Sequence, residues 1–255
     1  MKMQWDDVPS GIVVSKGRNL GAEIPGSIED SRLALLRHSL AQYRKRAISA
    51  RPKLGSSEIE KRKGEHVNRL HNWLCRSGRW RKTVERRVPW VLSGSNLGSN
   101  VLELGPGPGL TTDLLHGSVP RLTALELDSG LAESLNSRFR GSNVEVVTGD
   151  ATAMPFSDAK FSGGVSFTML HHVPSPELQD KLLCEVLRVI KPGAEFVGSD
   201  SLQSLFMRLI HIGDTLVPIN PDTFGLRLEA AGFQVLQIEK NDDAFRFHAR
   251  KPVAR

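Results

Sequence analysis

The stretch VLELGPGPGL (101–110) constrains this chain more than any other. A run of apolar residues leads straight into Gly105, Gly107 and Gly109, and a helical pattern starts at Leu110. Glycines between a buried strand and a helix let a ligand approach both the backbone and the helix N-terminus. A dinucleotide fingerprint would need its third glycine five positions after the first, and that position is Leu110. The strand also contains Glu103, at a place that should be apolar on both faces. Burying a carboxylate without a partner is costly, so Glu103 calls for a cation or for hydrogen bonds. It would repel a pyrophosphate and favour a cationic ligand. Alternatively, it could pair with the basic helices that precede it.

From Gly98 onward, short apolar runs alternate with helical patterns, the signature of a parallel sheet covered on both faces. Strands are predicted at 100–104, 121–127, 144–149, 161–167 and 194–199. Helices are predicted at 110–116, 128–139, 176–190 and 221–233. Ser175 is placed as an N-cap with Pro176 at the first helical position, and Lys191-Pro192-Gly193 should end that helix. Two final strands, about 234–240 and 244–250, flank Asn241-Asp242-Asp243 and predict a terminal antiparallel hairpin. The fold class is therefore α/β, a doubly wound and mostly parallel seven-stranded sheet with a C-terminal hairpin and a helical N-terminal extension.

That extension divides the charge. The chain carries +6 overall, but residues 31–90 hold 17 Lys/Arg against 4 Asp/Glu, a balance of 17 − 4 = +13. Leu33, Leu36, Leu40, Tyr43 and Ala47 mark one amphipathic helix, and a Ser57–Glu60 capping box opens a second, through Val67, Leu70 and Leu74. Three regions follow: a loose lead-in at 1–28, a basic helical extension at 29–95 that could act as a lid, and the main domain at 96–255. Trp73, Trp80 and Trp90 are expected to pack the extension onto the main domain. A solvated helical face is the plainer account of the charge, and an acidic partner the other. The two cysteines, Cys75 and Cys184, form no paired motif, which fits a reducing compartment and excludes a disulfide framework or a four-cysteine metal site. No signal-peptide pattern or membrane span is visible, so the expected address is cytoplasmic, without stable membrane insertion.

Two further acids complete the pattern. Glu126 ends the second strand, 21 residues after Gly105, where a carboxylate can accept hydrogen bonds from both hydroxyls of a ribose. A strand-end acid of this kind should be solvated in the empty pocket, while Asp128 is placed as the cap of the next helix. Asp150 ends the third strand, in GDATAMPF, where it can accept from an adenine amino group while the Ala151 backbone meets the ring edge. A glycine loop, a Glu and an Asp at three successive strand ends form a line across one sheet edge. With Glu103 answering an ammonium and a sulfonium, the set describes a site for S-adenosylmethionine.

The motifs VLELGPGPGLTTDLL (101–115), LTALELDSGLAESL (122–135), GDATAMPFSDAKF (149–161), SFTMLHHV (166–173), LRVIKPGAEFVGSDS (187–201) and DTFGLRLEAAGF (222–233) resemble the class I S-adenosylmethionine-dependent methyltransferases, on the branch with ubiquinone- and menaquinone-biosynthesis-like enzymes. The resemblance covers about 100–252. It implies cofactor contacts from Glu103, Gly105, Gly107, Gly109, Glu126, Leu127, Asp150, Ala151 and the backbone near Phe167. The chain departs from the family where an Asp often follows the Phe that opens strand four. Here Phe161 is followed by Ser162-Gly163-Gly164.

Methyl transfer to oxygen or carbon usually needs a base, and His171 and His172, just beyond strand four, are the candidates, with His172 favoured by the family pattern. Each could equally be a packed or capping histidine. Asp200 at the end of strand five could face the acceptor or cap a helix. No Asn/Asp-Pro-Pro-aromatic run and no Pro-Cys nucleophile follow strand four, which disfavours base amino groups, glutamine and cytosine C5 as acceptors. The expected function is methyl transfer to an oxygen, carbon or nitrogen of a small-molecule acceptor, with no metal expected. An RNA-modifying enzyme using Arg44, Lys45 and Arg46, or a cofactor-binding module without turnover, are the alternatives.

Overall fold

The computed structural model describes residues 73–75 and 77–253. The helices expected between 31 and 72, including the Ser57–Glu60 capping box, lie outside the described residues.

Helix α1 (Gly78–Leu92) precedes β1 (Asn100–Leu104), α2 (Leu110–Leu115), β2 (Arg121–Glu126), α3 (Ser129–Arg138) and β3 (Val144–Thr148). Then come β4 (Phe161–Phe167), a short 3-10 turn (Leu170–His172), α4 (Pro176–Val189), β5 (Ile190–Ser201), α5 (Leu205–Ile210) and α6 (Pro221–Ala231). The hairpin β6 (Gln234–Lys240) and β7 (Ala244–Arg250) closes the chain's fold. One seven-stranded sheet runs β3-β2-β1-β4-β5-β7-β6, parallel from β3 to β5 and antiparallel at both contacts of β7. The order reverses between β1 and β4, and in open α/β sheets ligands bind beyond the carboxyl ends of strands at such a switch point.

Alternation along each strand sends neighbours to opposite faces. Val101 joins Val84, Val88 and Val91 of α1, while Leu102 joins Leu182 and Val186 of α4. Val197 and Phe196 divide the same way. Both faces are therefore dry, as the near-continuous apolar strands require. Helix α1 supplies part of the first face, and Arg87 from its buried side pairs with Asp243 at 3.0 Å, in the β6–β7 turn. Trp80 and Trp90 pack against this face, but Trp73 is exposed, contrary to expectation.

The caps follow the sequence. Asp128 accepts from the Leu131 N–H (2.9 Å), and Ser175 from the Leu178 N–H (3.3 Å). Gly232, at φ +109°, closes α6. Around Lys191-Pro192-Gly193 the structure differs. Helix α4 already ends at Val189, and the segment belongs to a longer β5. Gly193 adopts φ +79° and donates its N–H to the Lys251 carbonyl (2.8 Å), while the β4–β5 register shifts between Phe161 and Gly163. The three residues thus form an irregular strand start held by the chain after β7. Helix α5, with Ser204 as its cap, had no counterpart among the predicted elements.

The departure at Ser162-Gly163 has a packing reason. The Ser162 hydroxyl accepts from the Asn100 N–H (2.8 Å) and donates to the Leu97 carbonyl (2.8 Å). Gly163 lies directly beneath Leu97, so an added Cβ would stand 2.6 Å from that carbonyl oxygen and 2.8 Å from Leu97 Cα. Gly164 would meet the Phe196 ring at 3.3 Å and Ile190 and Val186 at an ordinary 3.6 Å. Gly163→Ala should therefore cost about 1–3 kcal/mol, the range for overpacking, and Gly164→Ala clearly less. Denaturant melts of the two variants check this; equal losses would contradict the close approach of Leu97 and β4.

Candidate functional site

The carboxyl ends of β1, β2, β3 and β4 open into one cavity of about 650 Å³. That volume falls within the range of about 300–1,000 Å³ for small-molecule sites. Gly105 and Gly107 line it from the first loop, Glu126 and Leu127 from the second, Asp150 and Ala151 from the third. Phe167, His171 and His172 line it from β4 and the turn beyond.

The loops are hung on neighbouring strands. The Gly105 N–H donates to the Leu125 carbonyl (2.9 Å), and the Gly149 N–H to the Glu126 carbonyl (2.8 Å). The Glu126 carboxylate accepts from the Gly107 N–H (2.9 Å) through Oε2 and from the Asp128 N–H (3.0 Å) through Oε1. Glu126 is 7% exposed, and burial pushes its carboxyl above the usual range against the pull of these N–H groups. The solvated acid expected from the sequence is thus a buried and bonded one. The glycine loop folds back toward β2 closely enough for its own backbone to reach the carboxylate. Asp150 is also buried and accepts from the Thr152 N–H (2.7 Å).

Among the glycines, Gly107 at φ +56° would carry a Cβ into open space, so its bare backbone faces the cavity. Gly109 does something else. It is the left-handed N-cap of α2, and a Cβ there would lie 2.4 Å from Leu135 and 2.2 Å from Arg138. It does not line the cavity, and its freedom serves the packing of α2 on α3.

Glu103 is likewise beneath the cavity and not on its wall. It is 1% exposed and accepts hydrogen bonds from the hydroxyls of Thr111 and of Thr112, the latter at 2.8 Å. Its partners among the described residues are hydroxyls in the first turn of α2, not the basic helices. Of the two, Thr111 lines the cavity and can transmit the charge. Burial pushes the Glu103 carboxyl up to about 7, with Glu126 adding to the rise.

Asp200 neither caps α5 nor faces the cavity. It is fully buried in β5 and accepts from the His171 backbone N–H (3.2 Å), and its Oδ1 lies 2.5 Å from His171 Nδ1. This contact assigns the ring proton to Nδ1 and leaves Nε2 with its lone pair. His211, which no sequence motif singled out, stands against both His171 and His172, with ring centroids 5.2 Å from each. It lies 39 and 40 positions away in sequence and is delivered by α5, so only the fold makes the group. Cys75 also lines the cavity, where burial pushes its thiol up to about 11 and keeps it a weak nucleophile. Arg44, Lys45 and Arg46 lie outside the described residues.

The raised Glu103 carboxyl has a pH consequence. The group favours folding in its protonated form, so its contribution is complete below about 4.5 and is lost as pH rises through about 7. The protein without ligand should be less stable at pH 8 than at pH 5, with up to about 3 kcal/mol of the loss from this group. Glu103→Gln should flatten the difference in denaturant melts, and an unchanged difference would assign the loss to another group.

Residues 102–198 match the family model described as a methyltransferase domain. The chain is 31% identical over 122 residues to a demethylmenaquinone methyltransferase of Renibacterium salmoninarum, covering 48% of this chain and 47% of that protein. It is 36% identical over 105 residues to a ribosomal RNA small subunit methyltransferase A of Acidobacterium capsulatum, covering 40% and 35%. The matched stretches thus span about half or less of these curated relatives. An S-adenosylmethionine-dependent methyltransferase from Methanosarcina mazei shares the fold, with a TM-score of 0.55 at 18% identity over 65% of this chain and 98% of that one. The glycine loop and the two strand-end acids fall within the matched stretch, which is similar to a methyltransferase domain, and demethylmenaquinone methyltransferases are among the relatives that this part of the chain resembles.

Proposed function

We propose that the chain transfers a methyl group from S-adenosylmethionine to an oxygen, carbon or nitrogen of a small-molecule acceptor. The observation that carries this reading is the arrangement of Glu126 and Asp150 on successive strand ends around one cavity, with the bare Gly107 backbone held against Glu126. The residues suit the cofactor chemically. Two buried acceptors, Glu126 and Asp150, suit donation from ribose hydroxyls and an adenine amino group. The Ala151 backbone and the side chains of Leu127 and Phe167 supply an edge and apolar walls for the ring. Thr111 brings the influence of Glu103 to the end where an ammonium and sulfonium would sit.

When bound, the cofactor supplies an already activated methyl group. The chain's residues then have to orient the acceptor, exclude water and manage a proton. His171 and His172 line the same cavity, and Asp200 holds His171 in the tautomer whose Nε2 is basic. The Asp200 contact supports His171 as the candidate base, although the family pattern favours His172. An acceptor that must lose a proton would meet that nitrogen. The match to a ribosomal RNA methyltransferase keeps RNA as the contrasting acceptor, through residues outside those described.

Isothermal titration should show binding of S-adenosylmethionine and S-adenosylhomocysteine, and no binding of a nicotinamide cofactor. The reverse result would remove this reading, and release of S-adenosylhomocysteine across a metabolite panel and an RNA panel would identify the acceptor class. Glu126→Ala should weaken cofactor binding at least tenfold, since charge-assisted hydrogen bonds contribute about 1.5–3 kcal/mol each. Because Glu126 also holds the Gly107 and Asp128 N–H groups, the same variant should lose about 1–3 kcal/mol of stability without ligand. Asp128→Ala, which removes a helix cap, should cost about 1 kcal/mol of stability with a modest effect on affinity. If Asp128→Ala abolished binding and Glu126→Ala did not, the ribose would have to be placed two residues further on.

A further inference from the structure

We propose that His171, His172 and His211 form a site for a divalent transition metal at the acceptor end of the cavity. One ring nitrogen from each of the three lies within 4.8 Å of those of the other two. The rings form a closed triangle, with centroids 4.2 Å apart for His171–His172 and 5.2 Å for each contact with His211. His171 and His211 are 3% and 4% exposed, His172 is half-buried, and all three line the cavity.

Hydrogen bonding selects the ligating atoms. His171 Nδ1 is engaged by Asp200 at 2.5 Å, and His211 Nδ1 donates to the Met207 carbonyl at 2.7 Å. In each ring the proton is thereby assigned to Nδ1, and Nε2 keeps its lone pair. A ligating histidine whose other nitrogen is held by a carboxylate or a carbonyl is the usual arrangement around a protein-bound metal. Asp200 is then a positioning residue, and its buried charge offsets that of the ion. Ring packing alone would explain three aromatic residues here. It does not explain why two of them have the same nitrogen held by a fixed acceptor.

An all-imidazole set favours zinc, cobalt, nickel, copper or iron(II) over magnesium or calcium, which prefer oxygen. Bonds of about 2.0–2.1 Å place tetrahedral ligand nitrogens about 3.4 Å apart, so modest side-chain rotation closes the cluster on an ion. Three protein ligands leave a fourth position, and because all three histidines line the cavity that position opens into it. If the methyltransferase reading holds, the fourth position takes a hydroxyl or enol oxygen of the acceptor. The metal would orient that oxygen and lower its pKa, with the proton released to solvent, so that no free imidazole need act as base. The metal site itself does not depend on that reading.

The test uses the full chain, stripped with a chelator and titrated with cobalt(II) chloride. The expected result is one equivalent bound, with the intense visible absorption of a tetrahedral nitrogen site, displaced by zinc and unaffected by magnesium. His211→Ala and His172→Ala should each lose that absorption while keeping the S-adenosylmethionine affinity of the parent, even where the buried His211→Ala lowers the thermal melt. Asp200→Asn should weaken cobalt binding 10–100-fold, the range for losing a carboxylate that orients a ligand. Absence of the absorption in the parent, or its persistence in both histidine variants, would overturn the site. Loss of cofactor binding with the cobalt spectrum intact would instead remove the methyltransferase reading and leave the metal site standing.

Discussion

The Glu126 carboxylate joins the segments that shape the cavity. One oxygen holds the glycine loop after β1 through Gly107, and the other holds the start of α3 through Asp128. Its own backbone carbonyl receives the Gly149 N–H at the end of β3. Three strand ends are thereby referred to one residue, and the cavity has a floor before any ligand enters. The cost is a buried charge, visible in the raised carboxyl of Glu126. Ribose hydroxyls donating to the same group would return part of it, which couples ligand binding to loop order.

The acids at the sheet edge are possible only because the sheet is otherwise dry. α1 covers one face and α4 and α6 the other, so polar side chains on β1, β2 and β4 have little choice but the carboxyl end. Glu103 is the buried carboxylate that stands short of the end, one position before the close of β1. It is tolerated because α2 places two adjacent threonine hydroxyls against it. The resulting group sits near the midpoint of its titration at neutral pH, where a cation in the cavity would draw it to the charged form.

The other end of the cavity is built differently. There the polar groups are imidazoles, and their order comes from β5 and α5. Asp200 fixes His171, the turn of α5 fixes His211, and the Gln179 side-chain amide donates to the Leu170 and Val217 carbonyls (3.0 and 2.9 Å), tying the histidine turn to the segment after α5. A carboxylate end and an imidazole end in one cavity suit a ligand pair in which one member is cationic and the other carries an oxygen to be activated.

Much of the fold was legible in the residues because its signals are local. Strand β1, strand β4 and both hairpin strands fall on their expected limits, and the caps Asp128 and Ser175 stand where predicted, since period and capping chemistry act within a few positions. The line of Gly107, Glu126 and Asp150 was legible for the same reason, each residue being tied to the end of its own strand. What the linear order could not decide depends on contacts between distant segments. Glu126 is buried and not solvated because the Gly107 loop turns back on it. Gly109 serves the packing of α2 on α3, and Lys191-Pro192-Gly193 joins β5 because Lys251 pairs there. The meeting of His211 with His171 and His172 belongs to this second class as well. Residues far apart in the chain become neighbours only when the sheet brings β5 beside β4, and no periodicity in the sequence records that event.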